Sequence, residues 1–343
     1  MSLREEVVRT LTEGGGADRS VGPALVLAPM ATITHAGFRS LVHEFGGCDL
    51  YFTEMLSAEA LCAGTSFESY YLDLEPAPSK TIYQLIGYSS EAITTAAQTL
   101  LKHPCAGLDL NMGCSAPHIV RKGGGIAWMS RESECMRLVE SLRAMTGDRS
   151  LSAKLRLGPS DDPEKLAGFA GRLQDAGVDF VTLHPKKQRD GSARPARWEY
   201  VDLLERVLDI PVVGNGGVEN WASYKQRAFA GERQRGAIMV GRGAVRAPWL
   251  FNHLRCREAG KPSPQIDLLD VIERFFTHLE ASQPQQFWPS RARRLYPYFL
   301  KNLRFAHSVG ARLGDVRDYE DGKNGMLEYL GGDPSRRFFS ESG

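Results

Sequence analysis

The chain has 343 residues, of which 42% are hydrophobic and 24% are charged, and its formal net charge is +1. These values are ordinary for a globular protein and exclude a polycation, so any nucleic-acid binding has to use a local basic patch. The length allows one large domain and a smaller one.

The cysteines and the N-terminal residues indicate the cellular compartment of the protein. The six cysteines include no CxxC pair and no paired cysteine–histidine cluster, which argues against a structural zinc site and against a disulfide framework. The N-terminal residues, MSLREEVVRT, are too charged for a signal peptide, and no apolar run approaches the 18 residues of a membrane span. We therefore expect a soluble, cytoplasmic protein that binds no metal and no membrane. We also expect a monomer, although no feature of the sequence indicates the oligomeric state.

Short apolar runs recur along the chain after residues 1–22, which are predicted to be a tail. These runs lie at residues 24–28, 49–53, 81–87, 107–111, 151–156, 179–184, 211–215 and 236–241. Stretches with helical spacing of apolar residues separate them, at residues 91–101, 132–145, 163–176 and 221–230. The alternation predicts an α/β protein with a (β/α)8 TIM barrel over residues 23–260, rather than an open doubly wound sheet.

The character of the chain changes after Pro248. A linker at 260–264 precedes a helical pattern at about 268–282 and a second one at about 290–309, in which Pro297 is expected to produce a kink. Residues 281–314 contain six arginines and lysines and no acidic residue. We predict that residues 265–343 form a small all-helical C-terminal domain with one basic face.

Functional residues of such barrels lie where the strands end and the βα loops begin. The residues at these ends are mostly polar and include Pro29, Met30, Glu54, Gln84, Asn111, Cys114, Lys154, Arg156, His184, Asn215, Gly216, Gly217, Gly241 and Arg242. As a set they are typical of a ligand site and not of a barrel core, although any one of them alone fits an ordinary loop.

Two glycine-rich strand ends, VVGNGGV (212–218) and MVGRGAV (239–245), predict a phosphate-bearing ligand. Glycines let backbone N–H groups approach an anion, and Arg242 can add charge-assisted hydrogen bonds. Either loop alone is also explained by a tight turn.

Lys154, His184 and Gln84 favour a flavin as that ligand. An unpaired ammonium in the largely apolar strand of Lys154 would be costly, and the N1–C2=O edge of a reduced flavin is a suitable anion. A salt bridge to a neighbouring carboxylate is the alternative, and His184 alone would more often be a structural histidine. Gln84 has the donor and the acceptor that suit a pyrimidine edge. Glu54 is expected to hold a loop by accepting hydrogen bonds from backbone N–H groups.

Cys114 lies on a loop that is predicted to be open and mobile, within GLDLNMGCSAPHIVRKGGG (107–125). A cysteine in this position can be a nucleophile, a metal ligand, a redox partner or a proton donor. The residues themselves leave these alternatives open.

Several blocks, in the same order and spacing, resemble the tRNA-dihydrouridine synthases. They are LAPMATITHAGFR (27–39), FTEMLSAEAL (52–61), YQLIG (83–87), DLNMGC (109–114), KLRLG (154–158), PVVGNGGV (211–218) and MVGRGAVRAPWLF (239–251). The resemblance spans roughly residues 24–255 and continues more loosely into the helical part. It implies an FMN enzyme in which NADPH reduces the flavin, and the flavin passes hydride to C6 of a uridine in tRNA.

The resemblance also implies roles for individual residues. Cys114 would protonate C5 of the uracil ring, and Asn111, Arg121 and Lys122 would bind the substrate. The residues that match flavin-contacting positions are Pro29, Met30, Gln84, Lys154, His184, Asn215, Gly216, Gly217, Gly241 and Arg242. The residues expected to hold the RNA backbone are Arg291, Arg293, Arg294, Lys301 and Arg304, for which a solvated helix face is the alternative.

Three loops depart from the family pattern. CPxKK is replaced by CSAPH from Cys114, HGRT is replaced by HPKK from His184, and the glycine and aspartate of APMxGxTD are replaced by Thr32 and His35. These loops face the substrate more than the flavin. Two other functions therefore stay open: an FMN barrel oxidoreductase acting on a small unsaturated substrate (a free pyrimidine or an enone), and a non-catalytic RNA-binding protein.

Overall fold

The computed structural model describes residues 1–15, 22–64, 68–158, 161–188, 190, 194–230, 233–303, 306, 310, 313 and 318–339. Within these residues, eight parallel strands close a barrel in the order β1-β10-β7-β6-β5-β4-β3-β2. The barrel strands are β1 (Ala24–Leu27), β2 (Leu50–Ser57), β3 (Thr81–Ile86), β4 (Gly107–Met112), β5 (Ser150–Leu155), β6 (Phe180–Leu183), β7 (Val212–Asn215) and β10 (Ala237–Val240). Strands β8 (Phe229–Ala230) and β9 (Arg233–Gln234) form a separate antiparallel pair. The predicted (β/α)8 barrel is confirmed.

The helices of the barrel precede, separate and follow these strands. They are α1 (Leu3–Glu13), α2 (Ala36–Glu44), α3 (Ala58–Ala63), α4 (Glu68–Leu72), α5 (Ser90–Leu100), α6 (Pro117–Arg121), α7 (Glu132–Thr146), α8 (Pro163–Asp175), α9 (Glu199–Val207), α10 (Trp221–Ala228), α11 (Arg242–Arg246) and α12 (Leu250–Glu258). Strands such as β1, β3 and β10 are buried along their whole length, because side chains on one face fill the barrel and those on the other pack under the helices.

Residues 3–13 are not the tail that the sequence predicts. They form α1, in which Ser2 and Glu5 make a reciprocal capping box at the N-terminus. Val7 and Leu11 are buried and pack against residues of the first halves of the strands, among them Ala24 and Ala237. The helix therefore closes the amino end of the barrel and belongs to its core.

The C-terminal part is helical, as predicted. It contains α13 (Leu268–Ser282), α14 (Trp288–Phe299) and α15 (Tyr319–Gly331). The second of these ends ten residues before the predicted 309, because the chain passes from α14, which contains Pro297, into a 3-10 turn at Leu300–Asn302.

The helical part packs directly on the barrel through α13 and α2. A side chain at Gly37 of α2 would lie 2.5 Å from the carbonyl oxygen of His278, so the two backbones approach closely there. Arg274 and His278 of α13 also pair with Glu44 of α2. Among the helices in the described ranges, none has the length and apolar character that crossing a bilayer requires.

Candidate active site

The carboxyl ends of the barrel strands surround a cavity of about 400 Å³, which is in the size range of cofactor sites. The residues predicted at these ends that line it are Pro29, Met30, Gln84, Asn111, Cys114, Lys154, Arg156, His184, Asn215, Gly216, Gly217, Gly241 and Arg242. The fold thus brings together every predicted cofactor residue, the predicted catalytic cysteine and one predicted substrate residue. Their contact with a ligand stays a prediction.

Cys114 follows β4 on a loop that hydrogen bonds hold from both sides. The side-chain oxygen of Asn111 accepts hydrogen bonds from the backbone N–H groups of Cys114 (2.9 Å) and Gly113 (3.2 Å). The carbonyl of Cys114 accepts from the N–H of Ile126 at 3.0 Å. Gly125 has φ +58° and a side chain there would collide with the Cys114 carbonyl, so this close approach requires glycine. The thiol therefore has a defined position in the cavity wall.

Lys154 on β5 supplies a partly buried positive charge to the cavity. Its Nζ donates to Oδ1 of Asn215 on β7 at 3.2 Å, and the amide of Asn215 donates in turn to the carbonyl of Met239 at 2.8 Å. Burial lowers the pKa of Lys154 to about 8, while the charge of nearby Asp109 favours the ammonium. The group is thus cationic at neutral pH and has no carboxylate bonded to its Nζ in the described part of the chain.

His184 follows β6 and remains neutral. Burial lowers its pKa to about 2, and the positive charges of Lys154, Arg156, Lys186 and Arg242 act in the same direction. A neutral imidazole in this position can donate one hydrogen bond to a ligand without adding charge.

The glycine loop after β7 depends on backbone conformations that only glycine adopts easily. Gly216 and Gly217 have φ of +116° and +78°, and a side chain at Gly216 would lie 3.0 Å from the His184 ring. At the end of the neighbouring strand β10, Gly241 precedes Arg242 at the start of α11. The arrangement places a small backbone surface and a guanidinium on one side of the cavity, which suits an anionic group.

Glu54 holds the first βα loop, as predicted. Its Oε1 accepts from the backbone N–H of Thr32 at 2.5 Å and also from Nη1 of Arg291 at 2.9 Å. Arg291 is only 3% exposed. The sequence assigns this arginine to the RNA-binding face, but the structure places it inside an ion pair, so it does not belong to that face.

The other predicted substrate and RNA residues that the structure describes lie outside the cavity wall. Arg121 and Lys122 are exposed at the end of α6, where the Lys122 ammonium lies 5.1 Å from the centre of the Tyr88 ring. The exposed members of the predicted basic face are Arg293, Arg294 and Lys301, whereas Arg304 lies outside the described residues.

Several cavity residues were missed as site residues. They include Met55, Arg156, Lys186, Asp190 and Glu219. Arg156 was recognised at a strand end but given no role, and Lys186, two residues after His184, could have been found by the same strand-end rule. Asp190 and Glu219 lie further along their loops, where the position in the sequence says little about whether a side chain faces the cavity.

The residues present fit a flavin mononucleotide. The cavity combines a partly buried ammonium, a side-chain amide at Gln84, glycine loops and Arg242, which together match an anionic ring edge and a phosphate. Among the residues that the structure describes, no cluster of His, Cys, Asp or Glu side chains could hold a metal ion.

Comparison with protein families gives a match to the dihydrouridine synthase (Dus) model over residues 26–318. A probable tRNA-dihydrouridine synthase of Rhodobacter capsulatus is 31% identical over 245 residues, which cover 71% of this chain and 74% of that protein. A probable tRNA-dihydrouridine synthase of Helicobacter pylori is 30% identical over 67% of this chain and 70% of that protein.

Among solved structures, histamine dehydrogenase from Rhizobium sp. 4-9 superimposes with a TM-score of 0.50 at 13% identity. The match covers 75% of this chain, which spans about half of that longer protein. At this identity the likeness concerns the fold alone.

Proposed function

We infer the reaction of this protein from its family, because the chain belongs to the dihydrouridine synthases. It is an oxidoreductase that reduces uridine to 5,6-dihydrouridine in tRNA. The observation that supports this activity most directly is the position of Cys114, whose thiol lies in the wall of the same cavity as Lys154 and both glycine loops.

We propose FMN as the cofactor and NADPH as its reductant. When bound, the reduced flavin supplies the hydride that C6 of the uracil ring receives. Lys154 would lie against the anionic N1–C2=O edge of the ring, and the loops at Gly216 and Gly241, with Arg242, would bind the phosphate. Gln84 would contact the pyrimidine edge of the isoalloxazine.

Cys114 would give the proton. Hydride arriving at C6 leaves negative charge on C5 and O4 of the base, so a thiol beside C5 can complete the reduction by transferring its proton to that carbon. The thiolate that remains must take a proton from solvent before the next turnover. Asn111 supports this role because it fixes the backbone of Cys114, which keeps the thiol at a constant place relative to the base.

RNA binding would use the exposed cations of α14 and α6. The target uridine has to leave its stack to reach a cavity at the end of a barrel, which costs a few kcal/mol and favours a nucleotide in a loop. Arg293, Arg294 and Lys301 would hold the backbone from the helical side, and Arg121 and Lys122 from the side of the Cys114 loop. We further propose that the enzyme is a cytoplasmic monomer; its six cysteines are free thiols, as a reducing compartment requires.

The test is mass spectrometry of nucleosides from bulk tRNA, in cells with and without the gene. Loss of dihydrouridine that the wild-type protein restores, and that Cys114→Ala does not, is the expected result. Cys114→Ala should still bind flavin and oxidise NADPH. If dihydrouridine stays unchanged in the deleted strain while the purified protein is yellow, the tRNA substrate is wrong and a small unsaturated substrate takes its place.

A further inference from the structure

Asp109 is a buried carboxylate that the proposed reaction does not use. It lies on β4 with no exposed surface, one layer below the cavity. Its two oxygens accept hydrogen bonds from Nε2 of Gln84 at 2.7 Å and from the hydroxyl of Ser152 at 2.6 Å. Burial raises the pKa of Asp109 to about 6. Keeping this buried carboxylate ionised therefore lowers the stability of the folded protein, which a neutral side chain would not do.

The hydrogen bonds above Asp109 form a continuous series that ends at the backbone of Cys114. Gln84 donates to Asp109, the amide of Asn111 donates to Oε1 of Gln84 at 2.9 Å, and the N–H of Cys114 donates to Oδ1 of Asn111 at 2.9 Å. We call this series the amide relay.

The direction of the amide relay is fixed at both ends. A backbone N–H can only donate, so the atom of Asn111 that faces Cys114 is its oxygen and the atom that faces Gln84 is its nitrogen. A carboxylate can only accept, so the atom of Gln84 that faces Asp109 is its nitrogen. The two requirements agree, and neither amide can turn over without placing a donor against a donor or an oxygen against an oxygen.

The amide relay determines what the two side chains can offer to a ligand. Both lone-pair directions of the Asn111 oxygen are used by backbone N–H groups. Among the described residues, the second N–H of Asn111 meets only the thioether of Met55, at 3.2 Å, which is a weak acceptor that a ligand can displace. The second N–H of Gln84 has no acceptor among the described residues. Each amide of the cavity floor therefore keeps one N–H group that can donate to a ligand.

We propose that Asp109 is a positioning residue that sets the specificity of the cavity: it anchors the amide relay so that Gln84 and Asn111 both present donors to the ligand, and it holds the Cys114 loop through them. The proposal rests on the proposed function in so far as the ligands are a flavin and a uracil ring. Both rings carry carbonyl acceptors on their pyrimidine edges, whereas an amino group in the same place would meet an N–H.

Three variants separate this role from simple filling of the core. Asp109→Asn keeps an acceptor for Gln84 and can donate to Ser152, so it preserves the direction of the amide relay without the charge. Asp109→Leu has the same branching of heavy atoms but leaves the Gln84 amide without its acceptor. Ser152→Ala removes the other hydrogen bond of Asp109 and leaves the amide relay intact, which makes it the matched control.

Two measurements need no tRNA. The first is the Kd for FMN, obtained by titration of the apoprotein. The second is the rate at which iodoacetamide alkylates Cys114, which peptide mass spectrometry measures. Asp109→Leu should weaken FMN binding about tenfold or more and speed alkylation about threefold or more, as expected for a buried donor left unpaired. Asp109→Asn and Ser152→Ala should stay within about threefold of wild type for both quantities.

An unchanged FMN affinity and an unchanged alkylation rate in Asp109→Leu would overturn the proposal, as would equal losses in all three variants. If Asp109→Leu does not fold, Asp109→Val, which also leaves Gln84 without its acceptor, takes its place in both measurements, with the same expected losses and the same overturning result. If the wild type does not bind FMN, the cofactor assignment fails, and the alkylation rates still decide the function of Asp109.

Discussion

Arg291 of α14 donates from Nη1 to Oε1 of Glu54 on β2 at 2.9 Å, and each of the two side chains is only 3% exposed. The same oxygen accepts the backbone N–H of Thr32. The guanidinium also lies 5.6 Å and 5.2 Å from the ring centres of Tyr71 and Phe287, where cation–π attraction adds to the pair. One carboxylate thus ties the helical part to the first loop at the cavity.

Breaking this pair should destabilise the protein strongly. Either Arg291→Met or Glu54→Gln leaves a buried charge without its partner, which costs about 3–5 kcal/mol. The double variant should lose much less than the sum of the two single losses. Thermal and urea unfolding measure these effects, with the exposed Arg293→Met as a control that should stay near wild type. Additive losses would show that the two side chains act independently.

The RNA-binding role of the basic face of α14 should be tested in a variant that keeps Arg291, because that residue is buried. Replacing Arg293, Arg294 and Lys301 together by alanine should weaken RNA binding at every sequence. The slope of log K against log salt should become shallower by about 2–3, because each lost phosphate contact contributes about 0.7–0.9.

The matched control removes three exposed cations from the helical layer of the barrel, Lys102, Arg137 and Arg206. This control variant changes the net charge by the same amount and should keep most of the salt dependence of RNA binding. If both triple variants bind tRNA alike, α14 has a solvated face and holds no RNA backbone.

Thr32→Gly should stabilise the protein. Thr32 has φ +63°, a left-handed conformation that a β-branched residue rarely adopts, and the family pattern has glycine at this position. Relief of this strain, less the extra chain entropy of glycine, should add about 0.5–1 kcal/mol. Thr32→Ala keeps the Cβ atom and should gain less in the same unfolding experiment. A glycine variant that is less stable than the alanine variant would contradict the explanation.

Binding of FMN should depend on the charge of Lys154. The ammonium is present below its pKa of about 8 and is lost above it, so the affinity should fall as the pH rises. Between pH 7 and 9 we expect a loss of about tenfold, the value of one charge-assisted hydrogen bond.

Calorimetry in buffers of different ionisation enthalpy should also detect proton uptake on binding near pH 8, because a bound anion favours the ammonium. The Lys154→Met variant should bind FMN more weakly at pH 7. It should show neither the fall in FMN affinity with pH nor the proton uptake. Lys186→Met should keep both, since that residue lines the cavity but is not bonded to Asn215. Equal pH profiles for wild type and Lys154→Met would assign the titration to another group.

The sequence predicts the barrel well because each strand can be recognised from residues that are adjacent in the chain. Each strand is a short apolar run that ends in a polar or glycine residue, and the strand ends meet at one edge of any such barrel. That rule alone brings Gln84, Lys154, His184 and Arg242 to one cavity. The helix at residues 3–13 was also readable, since Ser2 and Glu5 have capping-box spacing and Val7 and Leu11 lie one turn apart.

Two other features depend on contacts that no local pattern contains. Arg291 and Glu54 are 237 positions apart, so counting charges along α14 could not separate the buried arginine from the exposed Arg293 and Arg294. Asp109 stands in the recognised block DLNMGC, but its role follows from the register that places it beside Gln84 and Ser152.

The helix at residues 3–13 also has a practical consequence. It closes the barrel at the end opposite the cavity, and Met1 is 72% exposed there. A dye, an affinity tag or a surface linkage attached to the first residue would stand a full barrel height away from the Cys114 loop. The enzyme can therefore be immobilised through its N-terminus with the cavity facing solution, whereas deletion of the same residues would uncover the apolar interior of the barrel.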